Sequence, residues 1–271
     1  MNAKTLTLTG ADGNDLVADV HGAGSRSVLL LHGGGQTRHA WSRAFRELVK
    51  AGYHVVSYDA RGHGDSGWAE DGDYSTDALV ADLHAVVSAL PAAPALVGAS
   101  MGGITSLTAI GESQTPLASA LVLVDVAPSI ERSGVEHIRA FMTANIDGFA
   151  TLSEAADAVA AYNPARPRPK DPSGLMKNLR TGDDGRLYWH WDPRIISTSQ
   201  EEHVAYLEAY EARMSAAAQR VKVPALLVRG SQSDVVSPAG ARQFRKLIPH
   251  AQVIDISGAG HMVAGDRNDA F

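Results

Sequence analysis

The chain has 271 residues, 45% of them apolar and 20% charged, with 26 glycines and a formal charge of −6. Such a composition suits a globular protein with a large core, and the mild acidity without a basic patch argues against nucleic acid or an anionic membrane surface as partner. The sequence has no cysteine, which excludes disulfides, thiol catalysis and thiolate metal sites and makes a reducing cytoplasm the expected compartment.

The opening MNAKTLTLTGADGNDL lacks the basic-then-apolar run of an export signal. No apolar stretch approaches the roughly 20 residues that span a bilayer. TLTLTG and LVADVHG read as a hairpin that turns at Gly10, Asp12 and Gly13. Six apolar runs follow: SVLLLHGG (27–34), HVVSYDARG (54–62), PALVGAS (94–100), ALVLVDVAP (120–128), PALLVRG (224–230) and AQVIDISG (251–258). Continuous rather than alternating runs are what a sheet covered on both faces demands. Amphipathic stretches separate several of them, as in Thr76 to Leu90, where Leu79, Leu83, Val86, Val87 and Leu90 recur at helical spacing. This alternation predicts an α/β fold with a mostly parallel sheet and right-handed crossovers.

From Ser129 to Lys222 no strand is predicted. GVEHIRAFMTANIDGFATLSEAADAVAAY reads as helical, NPARPRPKDPSG as a proline-rich connector, RLYWHWDPRII as aromatic and irregular, and EEHVAYLEAYEARMSAAAQR as helical again. The simplest organisation is a core of residues 1–128 and 223–271 with a helical cap, 129–222, inserted after the sixth strand. Such a cap would lie over the carboxyl end of the sheet, where ligands bind in open α/β folds.

Chemistry concentrates at GASMGG (98–103), a G-x-S-x-G between a predicted strand and a predicted helix. A turn so sharp strains the serine backbone, and glycine neighbours leave room for the crowded atoms. Ser100 is thereby raised at a helix amino end as a candidate nucleophile, where an ordinary N-cap serine is the plainer reading. A serine hydroxyl needs a base, and the base needs an orienting acid. His261, in GAGHMVAG beyond the last strand, is the histidine expected at the same sheet edge. Asp234, in RGSQSDVVSP after the strand at 224–230, is the favoured acid. Asp125, ending LVLVD, is the alternative, and the order Ser, Asp, His suits either. The oxyanion formed on attack requires two donors: Met101 N–H at the helix start, and Gly34 N–H in the loop Gly33-Gly34-Gly35, with Gly33 as second choice. His32 is expected to brace that loop rather than to react.

In HGGGQTRHAW (32–41), YDARGHGDSG (58–67), GASMGG (98–103), VRGSQSDVVSP (228–238) and GAGHMVAG (258–265), the chain resembles the α/β-hydrolase family in order and over nearly its whole length. The resemblance implies an eight-stranded, mostly parallel sheet flanked by helices, a Ser100–Asp234–His261 triad and an oxyanion hole at Gly34 and Met101. It is nearest to capped bacterial serine hydrolases related to cofactor-free haloperoxidases, esterases and lactonases. Epoxide hydrolases and haloalkane dehalogenases of this fold use an aspartate nucleophile, whereas position 100 is serine. The family also closes with a helix after the histidine loop, which GDRNDAF does not show.

Two other signals carry less. RGHGDSG (61–67) formally matches the dinucleotide fingerprint G-x-G-x-x-G but follows a later strand and precedes a polar loop, so it reads as a glycine-rich loop at the site's rim. No phosphate loop and no H-E-x-x-H is present, and neither metal nor cofactor is expected. Trp189, Trp191 and Trp41 are either core or pocket wall, with Gly33 and Gly35 as further pocket candidates. The expectation is a serine hydrolase that cleaves small esters or lactones through an acyl-enzyme. The alternatives are perhydrolysis or C–C bond hydrolysis by the same triad, or a slow-turnover ligand receptor on this fold.

Overall fold

The computed structural model describes residues 3–163, 168–196 and 200–261. Strands β1 (Lys4–Thr9) and β2 (Asp15–His21) form the expected hairpin, turning through Gly13 at φ +80. Then come β3 (Ser27–Leu31), β4 (His54–Tyr58), β5 (Ala95–Ala99) and β6 (Ala120–Val124), and later β9 (Ala225–Gly230) and β10 (Gln252–Ile256). They join in one eight-stranded sheet of order β1-β2-β4-β3-β5-β6-β9-β10, in which β2 alone runs against the rest.

Alternation along each strand feeds two apolar layers. Leu29 and Leu31 of β3 face a core shared with Leu83 and Val86 of α2 (Thr76–Ser88), Leu107 of α3 (Met101–Glu112) and Phe244 of α7 (Pro238–Leu247). Val28 and Leu30 face the opposite layer, with Trp41 and with Phe45 of α1 (Ser42–Lys50). Because β3 pairs with β4 on one side and β5 on the other, the chain reverses its direction of winding there. The crevice beyond the carboxyl ends of β3 and β5 is therefore the place for a ligand.

The insertion after β6 differs in two ways from its sequence reading. The long helical stretch is two helices, α4 (Arg132–Thr143) and α5 (Leu152–Tyr162), broken where Asn145 and Gly148 take positive φ. The segment read as strandless holds an antiparallel hairpin, β7 (Leu179–Thr181) and β8 (Leu187–Trp189). Three-residue strands are too short to leave a periodic signal. A local core of Met142, Phe149, Ala155, Leu179, Trp189 and Trp191 holds this part together.

Helix α6 (Gln200–Gln219), within the interval expected to be cap, packs along α3: its Met214, Ala217 and Ala218 belong to the main core. The approach is close because position 111 is glycine; a Cβ there would lie 2.4 Å from the Ala217 carbonyl oxygen. Gly111→Ala is expected to cost about 1–3 kcal/mol of stability by overpacking and to lower Tm without changing kcat, measured by thermal melts beside an ester assay.

Candidate active site

Ser100 sits between β5 and α3 with φ 46 and ψ −115, a conformation that is strained for any residue with a side chain. Its glycine neighbours make the turn possible. A Cβ on Gly98 would lie 2.3 Å from the Gly102 oxygen, and one on Gly102 would lie 2.5 Å from the Leu31 oxygen. The N–H groups at the start of a helix lie ahead of its first i→i−4 bond and need other acceptors. Gly102 donates to His32 O (3.1 Å), while Gly103 and Ile104 return to Ser100 O (both 2.9 Å). Among the described residues Met101 N–H meets no acceptor.

The glycine triple after β3 is pinned peptide by peptide. Gly33 N–H donates to Gln36 Oε1 (3.0 Å), and Gly33 O accepts from Gln36 N–H (3.1 Å). Gly35 N–H donates to His63 Nε2 (3.1 Å). Among the described residues Gly34 N–H is the donor of this loop left without an acceptor. A trans peptide points its C=O and N–H in opposite directions. With Gly33 O turned inward to His32, Gly34 N–H therefore turns outward, to the side where Gly34, Met101 and Ser100 line one cavity.

His261 also lines that cavity. The residue that holds it is Asp125: His261 Nδ1–H donates to Asp125 Oδ2 at 2.8 Å. A proton on Nδ1 leaves Nε2 with its lone pair. Asp125 is fully buried at φ 50, and its carboxylate also accepts from Gly230 N–H (2.8 Å) and the Ser233 hydroxyl. Of the two candidate acids, the structure brings Asp125 to His261 and not the favoured Asp234. Asp234 is half exposed and lies 3.1 Å from His137 Nδ1 of α4. The turn after β9 aims Ser233 inward, where its oxygen also accepts from Val235 and Val236 N–H, and so sends the next residue outward. Gly230 explains the reach from β6 to His261. A Cβ there would lie 2.2 Å from Gly260 O, so the histidine loop can close over the end of β9 only above a glycine.

Three buried histidines surround the glycine triple, and the sequence reading anticipated only one. His32 accepts from Ala60 N–H at Nε2 (3.0 Å) and donates from Nδ1 to Gly33 O (2.8 Å), as a loop brace. His63, in the loop set aside as a failed dinucleotide motif, takes the Gly35 N–H and donates from Nδ1 to Arg61 O (3.0 Å). His190 accepts from Gly64 N–H at Nδ1 (2.6 Å) and donates from Nε2 to Gly35 O (3.2 Å). Each ring thus uses one nitrogen as acceptor, which only neutral imidazole can do. Burial lowers the pKa of all three: that of His63 falls well below the usual value and that of His190 to about 4, with the neighbouring His32 pushing the same way. Asp59 and Asp65 oppose the shift at His190 without reversing it. The signal was local: GHG and WHW each set a histidine between residues with a structural task.

The cavity has a volume of about 660 Å³. Trp189 and Trp191 stack 5.0 Å apart on its wall, beside Phe141, Met142, Ile138 and Val159. Gly33, Gly34 and Gly35 line it as expected of pocket residues, and an added Cβ on Gly35 would meet Trp191 at 3.3 Å. Trp41 does not line it; that ring is buried in the core layer with Val28 and Leu30. Lys177, His39 and Arg168 lie on the lining as well. Among the described residues no cluster of three His, Asp or Glu could hold a metal, and no helix is long and apolar enough to cross a membrane.

Residues 26–267 match the family described as alpha/beta hydrolase fold. The chain is 29% identical over 262 residues to Esterase Rv0045c of Mycobacterium tuberculosis, covering 92% of this chain and 81% of that one. It is 26% identical to Lipase 1 of Psychrobacter immobilis over 97% of this chain and 79% of the lipase. The crystal structure of E-2-(acetamidomethylene)succinate hydrolase superimposes with a TM-score of 0.83 at 21% identity, over 99% of this chain and 96% of that one, a likeness of fold.

The buried histidines set an acid limit. Unfolded imidazoles take up protons near pH 6.5, whereas folded His190 resists until about pH 4. The unfolded state therefore binds more protons across that window, and stability falls as pH drops through it. Tm is expected to fall by about 5 °C or more between pH 7 and pH 5, measured by calorimetry, and a flat profile would contradict the assignment of neutral rings.

Proposed function

This chain belongs to the α/β-hydrolase fold family as an enzyme acting on esters, and we propose that it cleaves carboxylic esters or lactones of small apolar substrates through an acyl-enzyme on Ser100. The hydroxyl attacks the carbonyl carbon as its proton passes to His261 Nε2, and Asp125 holds the imidazolium through Nδ1–H. The carbonyl oxygen, now an oxyanion, accepts from Gly34 and Met101 N–H. Collapse of the tetrahedral intermediate breaks the C–O bond, and His261 returns the proton to the departing alkoxide. Water then repeats the sequence on the acyl-enzyme and releases the acid.

One observation carries this reading: the two N–H groups left without acceptors flank the single serine strained toward the cavity. The aromatic and aliphatic wall supports an apolar acyl or alcohol group, and its residues Ile138, Phe141, Met142, Val159, Trp189 and Trp191 all come from the insertion, which we read as a cap. A chain without cysteine forms no disulfide, and we infer a reducing cytoplasm as its compartment.

Ser100→Ala is expected to lower kcat on p-nitrophenyl butyrate by about 10⁴-fold or more and to abolish fluorophosphonate labelling; retained labelling would refute the nucleophile. Asp125→Asn is expected to lower kcat by about 10²-fold or more, whereas Asp234→Asn stays within about threefold of wild type, the scale of a surface substitution. Steady-state kinetics of the two variants, side by side, decide which carboxylate serves His261.

A further inference from the structure

The residues flanking His190 both touch the cavity while His190 itself does not: Trp189 and Trp191 are on the lining, and the ring between them is turned the other way, toward the core. Successive side chains of an extended segment alternate in just this manner. His190 is 5% exposed and spans two loops of the core. Its Nδ1 takes the Gly64 N–H of the loop after β4, and its Nε2–H is given to the Gly35 carbonyl of the glycine triple. The same insertion segment makes further bonds to that loop. Asp192 N–H donates to Gly62 O (2.9 Å), the Tyr74 hydroxyl donates to Asp192 Oδ2, and Arg194 donates to Ala69 O (2.7 Å). Of all these contacts, the His190–Gly35 bond is the one that touches the oxyanion loop.

Three consecutive peptide planes run through the triple. The Gly33–Gly34 plane is held at Gly33 O by His32, the Gly34–Gly35 plane at Gly35 N–H by His63, and the Gly35–Gln36 plane at Gly35 O by His190. Three adjacent glycines have no steric preference that would hold these planes in place. Gln36 N–H, opposite Gly35 O in the third plane, donates back to Gly33 O of the first, the plane that carries Gly34 N–H, so the orientation of the triple is set by the three rings together with Gln36.

We propose that His190 is a positioning residue for ester cleavage, clamping the Gly35 carbonyl so that Gly34 N–H stays aimed at the developing oxyanion, and that it thereby ties the seating of the Trp189–Trp191 wall to the strength of the oxyanion hole. The proposal rests on the assignment of Gly34 and Met101 as oxyanion donors. Substrate that fills the aromatic wall presses on the same segment that holds the donor loop. Binding energy gained from the apolar group is thus expressed in the transition state, as kcat rather than as KM.

Two isosteric substitutions separate the two halves of the ring. In His190→Asn the amide oxygen overlays Nδ1 and keeps the Gly64 bond, but nothing reaches Gly35. In His190→Gln the amide nitrogen overlays Nε2 and keeps the Gly35 bond. On p-nitrophenyl butyrate H190N is expected to lose about tenfold or more in kcat with KM within about threefold, and H190Q to stay within about threefold in both. Inhibition by butylboronic acid, whose adduct on Ser100 places an oxygen between Gly34 and Met101 N–H, is expected to weaken in H190N by the same factor as kcat. Wild-type kcat and boronate affinity in H190N would overturn the proposal, as would equal losses in H190N and H190Q at matched Tm. Should H190N not fold, His190→Ala takes its place beside H190Q, both lacking the Gly64 bond: near wild-type kcat and boronate affinity in H190A, or equal losses in H190A and H190Q, overturn the role of the Gly35 bond, and a loss of about tenfold confined to H190A upholds it. Ser100→Ala in the same panel keeps the two readings apart. If it still turns over ester, the active-site assignment fails, whereas if it is dead while H190N is unimpaired, only the role of His190 falls.

Discussion

Holding a serine at positive φ is costly, of order 1–3 kcal/mol, and it is possible here only where surrounding atoms give way. Gly98 and Gly102 give way by having no side chain, since each added Cβ would fall within 2.5 Å of a backbone oxygen. Because Gly102 can approach β3 so closely, its N–H reaches His32 O, and the nucleophile turn and the glycine triple become one rigid unit. The steric demand at one residue thus sets the separation of the two donors that would receive the oxyanion. Proximity of this kind is established by folding and adds nothing to the cost of the reaction step.

The acid side of the site follows a different logic. Asp125 is fully buried, and its carboxylate gathers three donors from the carboxyl ends of β9 and β10: Gly230 N–H, the Ser233 hydroxyl and His261 Nδ1–H. Removing such a hub would leave the buried Gly230 N–H without its partner, at about 1–3 kcal/mol. The carboxylate that holds the imidazole is therefore also the one that ties the end of β6 to the segments following β9 and β10.

The apolar runs, the G-x-S-x-G turn and the glycines of the donor loop were readable from residue type alone, since each follows from a local rule of packing or backbone geometry. The partner of His261 was not. Asp125 and Asp234 both follow strands at the correct edge, and which one faces inward depends on how the turn after β9 is wound, a matter decided by Ser233 and its bonds to Val235 and Val236 N–H. Trp41 was ambiguous for a related reason: an aromatic after a glycine loop fits a cavity wall or a core layer equally, and only the placement of α1 puts it with Phe45. His63 and His190 escaped because their partners are backbone atoms of distant loops, and hydrogen bonds to backbone leave no pairwise residue signature.

With Asp125 at the end of β6 holding His261, the stretch from Ser233 to Pro238 contributes one inward hydroxyl to that carboxylate. Asp234 instead meets His137 on the surface of α4, so under the proposed assignment a substitution at that position leaves the carboxylate beside His261 in place.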